Sequence, residues 1–239
     1  VGEPAVFRNP NDLAILLSAV HYAKYEKTSA FNAHVSITNS KATQPDFIER
    51  YKMPPEWNCK TIYWGVDTDL FCPVEENGTS KRPREQVRTN YGFNYDDPVL
   101  LAVGRLAARK GYSTLLRAFR IVIKEIPNAK LLIVGRGGMK KNLYKYATKE
   151  GFKPSIRIES SLDFNELSNV YNSCDLTIFP SYYEGQGLIP LESMSSGVPV
   201  IATNSGPIPE MVDDEVGSLF ELGDEADLAK KIIDELSQR

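Results

Sequence analysis

The chain has 239 residues, of which 42% are hydrophobic and 25% are charged, the ordinary balance of a soluble globular protein. Lysine and arginine number 28 against 31 aspartates and glutamates, and this formal net charge of -3 argues against a dedicated nucleic-acid-binding protein. Three scattered cysteines and two histidines are too few for a disulfide framework or a His-rich metal site, and no apolar run approaches the ~18 residues of a membrane-spanning helix. We therefore expect a cytoplasmic protein with reduced cysteines.

The first third of the chain contains short, irregularly spaced elements. Asn11 or Asp12 would cap a helix whose apolar face lies within residues 13–20. Residues 34–38 alternate like a strand, residues 44–51 are helical in pattern, and residues 60–64 again resemble a strand. Residues 71–84 are polar and contain proline and glycine, which is typical of a linker or surface loop.

From residue 98 onward, apolar runs and amphipathic segments alternate regularly. The predicted strands are 99–103, 130–134, 156–159, 176–179, 198–202 and 218–220, and the predicted helices are 113–126, a segment ending near 150, 165–172, 188–195, 207–212 and 226–236. Strands that are apolar throughout, with helices between them, indicate an α/β fold in which a parallel sheet is covered on both faces. The pattern predicts a doubly wound, Rossmann-like domain, with its ligand at the carboxyl ends of the strands.

The loop after the first of these strands carries two glycines and two cations. Gly104 and Gly111 allow the backbone to approach a ligand closely, and Arg105 and Lys110 place positive charge beside a helix N-terminus. This combination suits a diphosphate. The alternative interpretation is an ordinary loop with two solvated cations.

The loop after the second strand, 135–138, contains three glycines but does not match a dinucleotide-binding fingerprint. The third glycine of the G-x-G-x-x-G pattern would fall at Lys140, and the phosphate-binding pattern G-x-x-x-x-G-K-[ST] is absent from the chain. These two absences argue against a nicotinamide-dependent dehydrogenase and against a P-loop nucleotidase.

The loop at 180–192 contains two carboxylates and a Gly-x-Gly turn. Glu184 directly precedes Gly185 and Gly187, and Glu192 lies two turns into the predicted helix that follows. The glycine backbone can lie against a ligand while the helix N-terminus faces a phosphate. Two acids so close together could also be a glycosidase pair, although a glycosidase needs no phosphate-binding backbone.

These motifs together resemble a known family. The run E-G-Q-G-L-I-P-L-E (184–192) resembles the E-x7-E signature of the retaining GT-B glycosyltransferases of the fourth family, the group 1 type, which usually has Phe where this chain has Gln186. V-G-R-L-A-A-R-K-G (103–111) resembles the donor-phosphate loop of that family. Residues 197–212 resemble the segment that closes its site, with Gly206-Pro207 where Gly-Gly is more common. Residues 65–73 resemble its N-G-V-D…F-x-P linker, with Trp64 in place of Asn.

The resemblance implies a donor site for a nucleoside-diphosphate sugar, without a metal or other cofactor. Arg105 and Lys110 would hold the diphosphate and stabilise the leaving nucleotide. Glu184 would contact the sugar hydroxyls, and Glu192 the ribose. The donor-binding set is completed by Gly104, Gly135, Gly137, Ser160, Leu162, Gly185, Gln186, Gly187 and Leu188. Within it, the loops at 135–137 and 160–162 would frame the base, and the backbone N–H groups of 186–188 would face the sugar and the phosphate.

The resemblance also implies that the chain is part of a larger enzyme. Residues 1–58 would be a remnant of the N-terminal acceptor domain with its linker, and residues 59–239 the donor-binding domain. The acceptor domain that is missing would be the partner of this chain, and any peripheral membrane contact would come only through missing parts. His21 and His34 do not occur in a recognisable catalytic context. We therefore expect the isolated chain to bind a nucleotide sugar, to bind no nucleic acid, and to be inactive by itself.

Two other functions remain open from the residues. A non-catalytic nucleotide-sugar-binding module is the main alternative, although the intact set of Arg105, Lys110, Glu184 and Glu192 favours descent from a catalyst. A GT-B epimerase acting on nucleotide sugars would need acid and base residues that the sequence does not reveal.

Overall fold

The computed structural model describes residues 24–74 and 84–238. In chain order the elements are β1 (Ser36–Thr38), α1 (Thr43–Tyr51), β2 (Cys59–Thr61), α2 (Arg84–Asn90), β3 (Val99–Val103), α3 (Tyr112–Glu125), β4 (Lys130–Val134), α4 (Lys140–Lys149), β5 (Ile156–Glu159), α5 (Phe164–Ser173), β6 (Leu176–Phe179), α6 (Leu188–Ser195), β7 (Val200–Thr203), β8 (Gly217–Phe220) and α7 (Glu225–Ser237). Residues 24–32 are also helical.

Six of the strands form one parallel sheet, which confirms the predicted fold class. Their order is β5-β4-β3-β6-β7-β8, and all five neighbouring pairs are parallel. Parallel neighbours need a crossover on one face of the sheet, and in this chain the crossovers are largely the helices predicted from the sequence. The central strand β3 is entirely apolar because both of its faces are covered, whereas the edge strand β5 alternates apolar with charged residues.

The alternation of side chains along β3 shows how the two faces are buried. Leu100 and Ala102 belong to the larger core, which packs under α3, α4 and α7. Val99 and Leu101 point the other way, into a core shared with α2, α5 and Phe71. The amphipathic pattern predicted for α3 is confirmed, since its apolar residues at 115, 116, 119 and 122 are buried in the larger core.

Helix starts follow local capping chemistry where the sequence offers it. Asp163 accepts a hydrogen bond from the Glu166 N–H at 2.8 Å, and the Glu166 carboxylate accepts one from the Asp163 N–H. The two bonds form a capping box at the start of α5. Asp224 caps α7 by accepting from the N–H groups of Ala226 and Asp227. Such caps satisfy N–H groups that have no partner within the helix.

A second, smaller unit precedes the large sheet. Strands β1 and β2 form a two-stranded parallel sheet, and α1 connects them. The Phe47 ring of α1 stacks on Trp57 at a centroid distance of 5.1 Å. The two-stranded sheet therefore includes residues on both sides of the boundary predicted at residue 58.

Three local expectations need correction. The strand predicted at 60–64 is only Cys59–Thr61, because the backbone of Trp64 bonds to the Gln186 side chain instead of to a strand. The helix predicted at 207–212 is a single 3₁₀ turn, Ile208–Glu210, which follows Pro207 and contains Pro209. Helix α2 forms at residues taken to end the linker. The helix predicted near Asn11 lies outside the described residues.

Candidate functional site

The large sheet has one point at which the winding of the chain changes direction. Strands β4 and β5 are added on one side of β3, whereas β6, β7 and β8 are added on the other. The loops that follow the neighbouring strands β3 and β6 therefore lead the chain in opposite directions across the sheet. In open parallel sheets, ligands bind in the crevice that forms there, at the carboxyl ends of the strands. Two of the three chemically distinctive loops of the sequence meet at this crevice.

The loops after β3 and β6 are in direct backbone contact. The N–H of Tyr182 donates to the Arg109 carbonyl oxygen at 2.8 Å. Gly111 has a φ of 69°, and a Cβ added there would lie 1.8 Å from the carbonyl oxygen of Pro180. No other residue type fits this position without displacing backbone. Glycine thereby lets the start of α3 approach the carboxyl end of β6.

The two loops bring a cation and a carboxylate together. Lys110 Nζ forms an ion pair with Glu184 Oε1, and the Ser181 hydroxyl donates to the same oxygen at 2.6 Å. The side chains of Lys110 and Glu184 are only 16% and 12% exposed. The ammonium also lies 5.8 Å from the centre of the Phe179 ring. The structure thus joins two of the three residues predicted to be catalytic, which lie 74 positions apart in the sequence.

Arg105, the third predicted catalytic residue, is held differently. Its side chain is exposed, and its guanidinium makes no hydrogen bond or ion pair with the residues that the structure describes. Only the backbone around it is fixed, because the N–H of Leu106 donates to the Arg136 carbonyl oxygen at 2.8 Å. Arg105 is therefore an exposed cation at the rim of the crevice, and no described residue occupies its donors.

The loops after β4 and β5 extend the crevice on one side. A Cβ added at Gly135 would lie 1.9 Å from the Gly104 carbonyl oxygen, so the glycine allows these two loops to touch. The Gly135 N–H donates to the Glu159 carbonyl oxygen at 2.9 Å, and Ser160 follows directly. The predicted base-framing segments at 135–137 and 160–162 therefore lie side by side at the same sheet edge.

The turn into α6 presents free backbone donors. Gly187 has a φ of 98°, and α6 begins at Leu188. Within the described part of the chain, the N–H groups of Gln186, Gly187 and Leu188 donate to no acceptor. Unpaired N–H groups at a helix N-terminus attract anions, and the partial positive charge of the helix end adds to the attraction.

The Gln186 side chain forms hydrogen bonds with the backbone of Trp64. It is 2% exposed. Its Oε1 accepts from the Trp64 N–H at 2.7 Å, and its Nε2 donates to the Trp64 carbonyl oxygen at 3.0 Å. Two of the three places at which the chain departs from the family pattern quoted above are therefore in contact. The Gln186 carboxamide connects the donor loop to the segment that leaves the two-stranded sheet.

Glu192 occupies the interior next to α5. It is 9% exposed, and the Tyr171 hydroxyl, which is fully buried, donates to its Oε2 at 2.8 Å. Burial raises the pKa of Glu192, and the bond from Tyr171 opposes that rise. Burial, with the nearby Glu192 charge, also raises the pKa of Tyr171 well above its ordinary value, so the phenol stays protonated and acts as a donor.

Glu210 joins the small unit to the crevice. Its carboxylate accepts from the N–H groups of Lys41 and Ala42, at 3.0 and 2.7 Å, and from the Tyr63 hydroxyl at 2.6 Å. Burial opposes ionisation, but the bond from Tyr63 and the two backbone bonds lower the pKa of Glu210 overall. A cavity of about 280 Å³ lies beside this contact, and its lining includes Glu184 and Thr43.

The described part of the chain has neither a cluster of metal ligands nor a helix fit to span a membrane. Within residues 24–74 and 84–238, no three His, Cys, Asp or Glu side chains are grouped so that they could hold a metal ion. No helix in those ranges has both the length and the apolar character needed to cross a membrane. His34 is exposed at the start of the small unit, and His21 lies outside the described residues.

Comparison with known proteins identifies the family. The sequence profile of the family described as "Glycosyl transferases group 1" matches residues 83–239, which is more than half of the chain. The chain belongs to this family. A D-inositol 3-phosphate glycosyltransferase from Corynebacterium aurimucosum is 31% identical over 218 residues, a match that covers 87% of this chain and 50% of that protein. The chain thus spans about half the length of the curated relatives it matches.

Solved structures show the same architecture. The Anabaena HepE protein, solved in complex with UDP and glucose, superposes with a TM-score of 0.76 and 25% identity, over 92% of this chain and 59% of that one. Sucrose-phosphate synthase from Thermosynechococcus elongatus has the same TM-score and identity, over 99% of this chain and 55% of that one. These matches confirm the resemblance to GT-B glycosyltransferases.

Three residues that build the site were not among those predicted for it. Ser181 supports Glu184, Tyr171 supports Glu192, and Glu210 connects the small unit. Ser181 lies three residues before Glu184, and this short spacing is the one sequence signal that could have revealed it. Tyr171 and Glu210 reach their partners through the tertiary fold, and the sequence holds no local sign of either contact.

Proposed function

We propose that this chain is the donor-binding part of a retaining glycosyltransferase, which transfers a sugar from a nucleoside-diphosphate sugar to an acceptor. The observation that carries the proposal is the contact between Lys110 and Glu184 at the point where the sheet reverses its winding. A cation for the phosphates and a carboxylate for the sugar are there placed next to each other, as the two halves of a nucleotide sugar require.

The leaving nucleotide is stabilised by charge. As the bond from the sugar to the diphosphate breaks, negative charge grows on the phosphate oxygen that departs. Lys110 supplies a positioned ammonium, and Arg105 supplies an exposed guanidinium. The N–H groups of residues 186–188, at the N-terminus of α6, add further donors. In this proposal these groups balance the charge without a metal ion.

The sugar and the ribose are held by carboxylates. Glu184 lines the cavity of about 280 Å³, where its second carboxylate oxygen can accept from sugar hydroxyls. Glu192 accepts hydrogen bonds from the ribose. The base lies between the loops that contain Gly135, Gly137, Ser160 and Leu162. The N–H groups beside Gly185 face the sugar and the phosphate.

The acceptor site belongs to the part of the enzyme that precedes this domain. The paired strands of the small unit extend from Ser36 to Thr61, so we place the domain boundary after β2 instead of at residue 58. Transfer requires donor and acceptor to be aligned across a closed cleft, and that alignment supplies much of the rate. We therefore propose that the chain alone binds donor without turnover, and that the complete enzyme acts in the cytoplasm.

Isothermal titration calorimetry with UDP, GDP and ADP, each with and without EDTA, tests donor binding. We expect one of the three to bind the chain, with unchanged affinity in chelator. Binding that disappears with EDTA would contradict the metal-free mechanism. If none of the three binds, the donor site itself is wrong.

Transfer and stereochemistry need the longer protein. With the complete N-terminal half restored, we expect transfer with retention at the anomeric carbon. In that protein Glu184→Ala should reduce turnover far more than nucleotide affinity, because the carboxylate contacts the sugar. A complete protein that binds nucleotide sugar but transfers nothing to any acceptor would favour the non-catalytic module.

A further inference from the structure

The Glu192 side chain is 9% exposed, and within the described residues one of its two carboxylate oxygens has a partner. An ionised carboxylate that leaves water needs partners for both of its oxygens. Within the described residues Oε2 accepts from the Tyr171 hydroxyl, while Oε1 accepts from no group, and no lysine or arginine pairs with either oxygen. Oε1 is not one of the fully buried polar atoms without a partner, so this oxygen is the part of the carboxylate that solvent or a ligand can reach.

The partner of Glu192 is rigidly placed. Tyr171 is fully buried, and its ring meets Phe71 edge-on at a centroid distance of 5.8 Å. Since α5 and the segment at Phe71 both hold the ring, the hydroxyl has little freedom to turn away from Glu192. The titratable groups around this pair are Tyr112 and Cys174, and burial raises the pKa of the Cys174 thiol, so both stay uncharged.

We propose that Tyr171 is a positioning residue for the donor: its hydroxyl fixes Oε2 of Glu192, so that Oε1 is aimed at a ribose hydroxyl and the carboxylate stays ionised. This inference rests on the proposed function, since it needs a nucleotide in the crevice. It adds that recognition of the ribose depends on a phenol that does not touch the ligand. The ligand chemistry concerned is the 2′,3′-diol of a ribonucleoside diphosphate.

The test compares UDP with 2′-deoxy-UDP and 3′-deoxy-UDP, measured by calorimetry on the whole chain between pH 5 and pH 8; GDP and its deoxy forms replace them if GDP is the nucleotide that binds. We expect the chain to bind one deoxy form roughly tenfold more weakly, the effect of a lost charge-assisted hydrogen bond. In Tyr171→Phe this discrimination should fall to about threefold or less. Tyr144→Phe, which removes a phenol that accepts from the Ile158 N–H, serves as the matched control and should discriminate like the natural chain.

The pH profile separates positioning from a merely structural role. The Tyr171 bond lowers the pKa of Glu192, so its loss should raise that pKa, and nucleotide affinity should begin to fall at a higher pH in Tyr171→Phe. Substituting 3-fluorotyrosine at position 171 gives a more acidic donor with almost no change in shape, and should move the profile to lower pH. This second variant keeps the test valid if Tyr171→Phe does not fold.

The outcomes are distinct. If no ribonucleotide binds the natural chain, the proposed function fails. If UDP binds with discrimination between the ribose and deoxyribose forms, but both Tyr171 variants keep that discrimination and the same pH profile, the role of Tyr171 is wrong while the donor site stands. Shifts of the pH profile in opposite directions in the two variants would support the inference.

Discussion

The large sheet and the small unit that precedes it are stabilised in different ways. In the large sheet, strand residues such as Leu100 and Leu131 are completely buried between two helical layers. In the small unit, Ile37 of β1 is 64% exposed, and Ile62, just past β2, is exposed as well. Polar contacts from Glu210 and Gln186 attach the small unit to the large one. The donor site is therefore built on a large buried core, whereas the small unit is held in place by its polar contacts with the large one.

The largest contrast should come from matched truncations in the two sheets. Leu131→Ala removes a fully buried side chain, which should cost about 2–5 kcal/mol in the free energy of unfolding. Ile37→Ala removes an exposed one and should change the free energy of unfolding by less than about 0.5 kcal/mol. Urea denaturation of both variants provides the measurement. Equal losses would show that β1 has a buried core of its own.

The next contrast concerns the loops of the crevice. Gly111→Ala forces an alanine into a left-handed backbone, which costs about 1–3 kcal/mol. It also places a Cβ 1.8 Å from the Pro180 carbonyl oxygen, so the two loops must separate and nucleotide binding should be lost. Gly138→Ala is the matched control, because nothing lies within 4 Å of a Cβ at that glycine. Denaturation and calorimetry on both variants are the checks, and a Gly111→Ala chain that binds UDP normally would contradict the close approach of the loops.

Lys110→Ala should affect binding more than folding. Loss of the ammonium should weaken nucleoside-diphosphate binding by about 1.5–3 kcal/mol, the range for a hydrogen bond to a charged group. Its effect on stability should be smaller, because Ser181 still donates to Glu184. Lys149→Ala, at an 80% exposed side chain, is the control for charge alone. If the two variants bind UDP equally well, the cation of the donor loop is misassigned.

The smallest effect is expected at the contact between the units. The pKa of Glu210 is lowered in the folded chain, so its contribution to stability is present above the unfolded pKa and lost as the pH falls through the folded pKa. The protection factors of the α1 amides, which correct for the intrinsic pH dependence of exchange, should therefore fall on acidification, and Glu210→Gln should remove most of that dependence while slightly lowering protection at neutral pH. An unchanged pH dependence in Glu210→Gln would place the titrating group elsewhere.

The large sheet could be predicted because its signals are local. Apolar runs at 99–103 and 130–134 gave strands whose bounds agree with the structure, and the periodicity of α3 marked its buried face. The small unit was harder to predict from the sequence. Its strands are three residues long and half exposed, so their hydrophobic pattern is weak. The short helix α2 was hidden in a charged segment, and it is fixed by tertiary contacts such as the bond from Arg88 Nε to the Ser173 carbonyl oxygen.

The candidate site was predictable in composition and less so in geometry. Glycine turns and charges near helix starts identified Lys110 and Glu184, yet the sequence held no sign that these two residues pair with each other. The backbone N–H of Gln186 was predicted to face the donor, but the bonds between its side chain and Trp64 could not be predicted from the sequence. Such contacts join residues up to 122 positions apart, and no local pattern encodes them.

The central claim is that the nucleotide binds at the carboxyl ends of β3, β4, β5 and β6, in the crevice between the loops that follow these strands. Backbone amide NMR shifts of the labelled chain, recorded while UDP is added, test this location directly. We expect the largest shifts in residues 104–111, 135–138, 160–162 and 185–188, and small ones along the two-stranded sheet. Saturable shifts confined to β1, α1 and β2, with the four loops unchanged, would contradict the account.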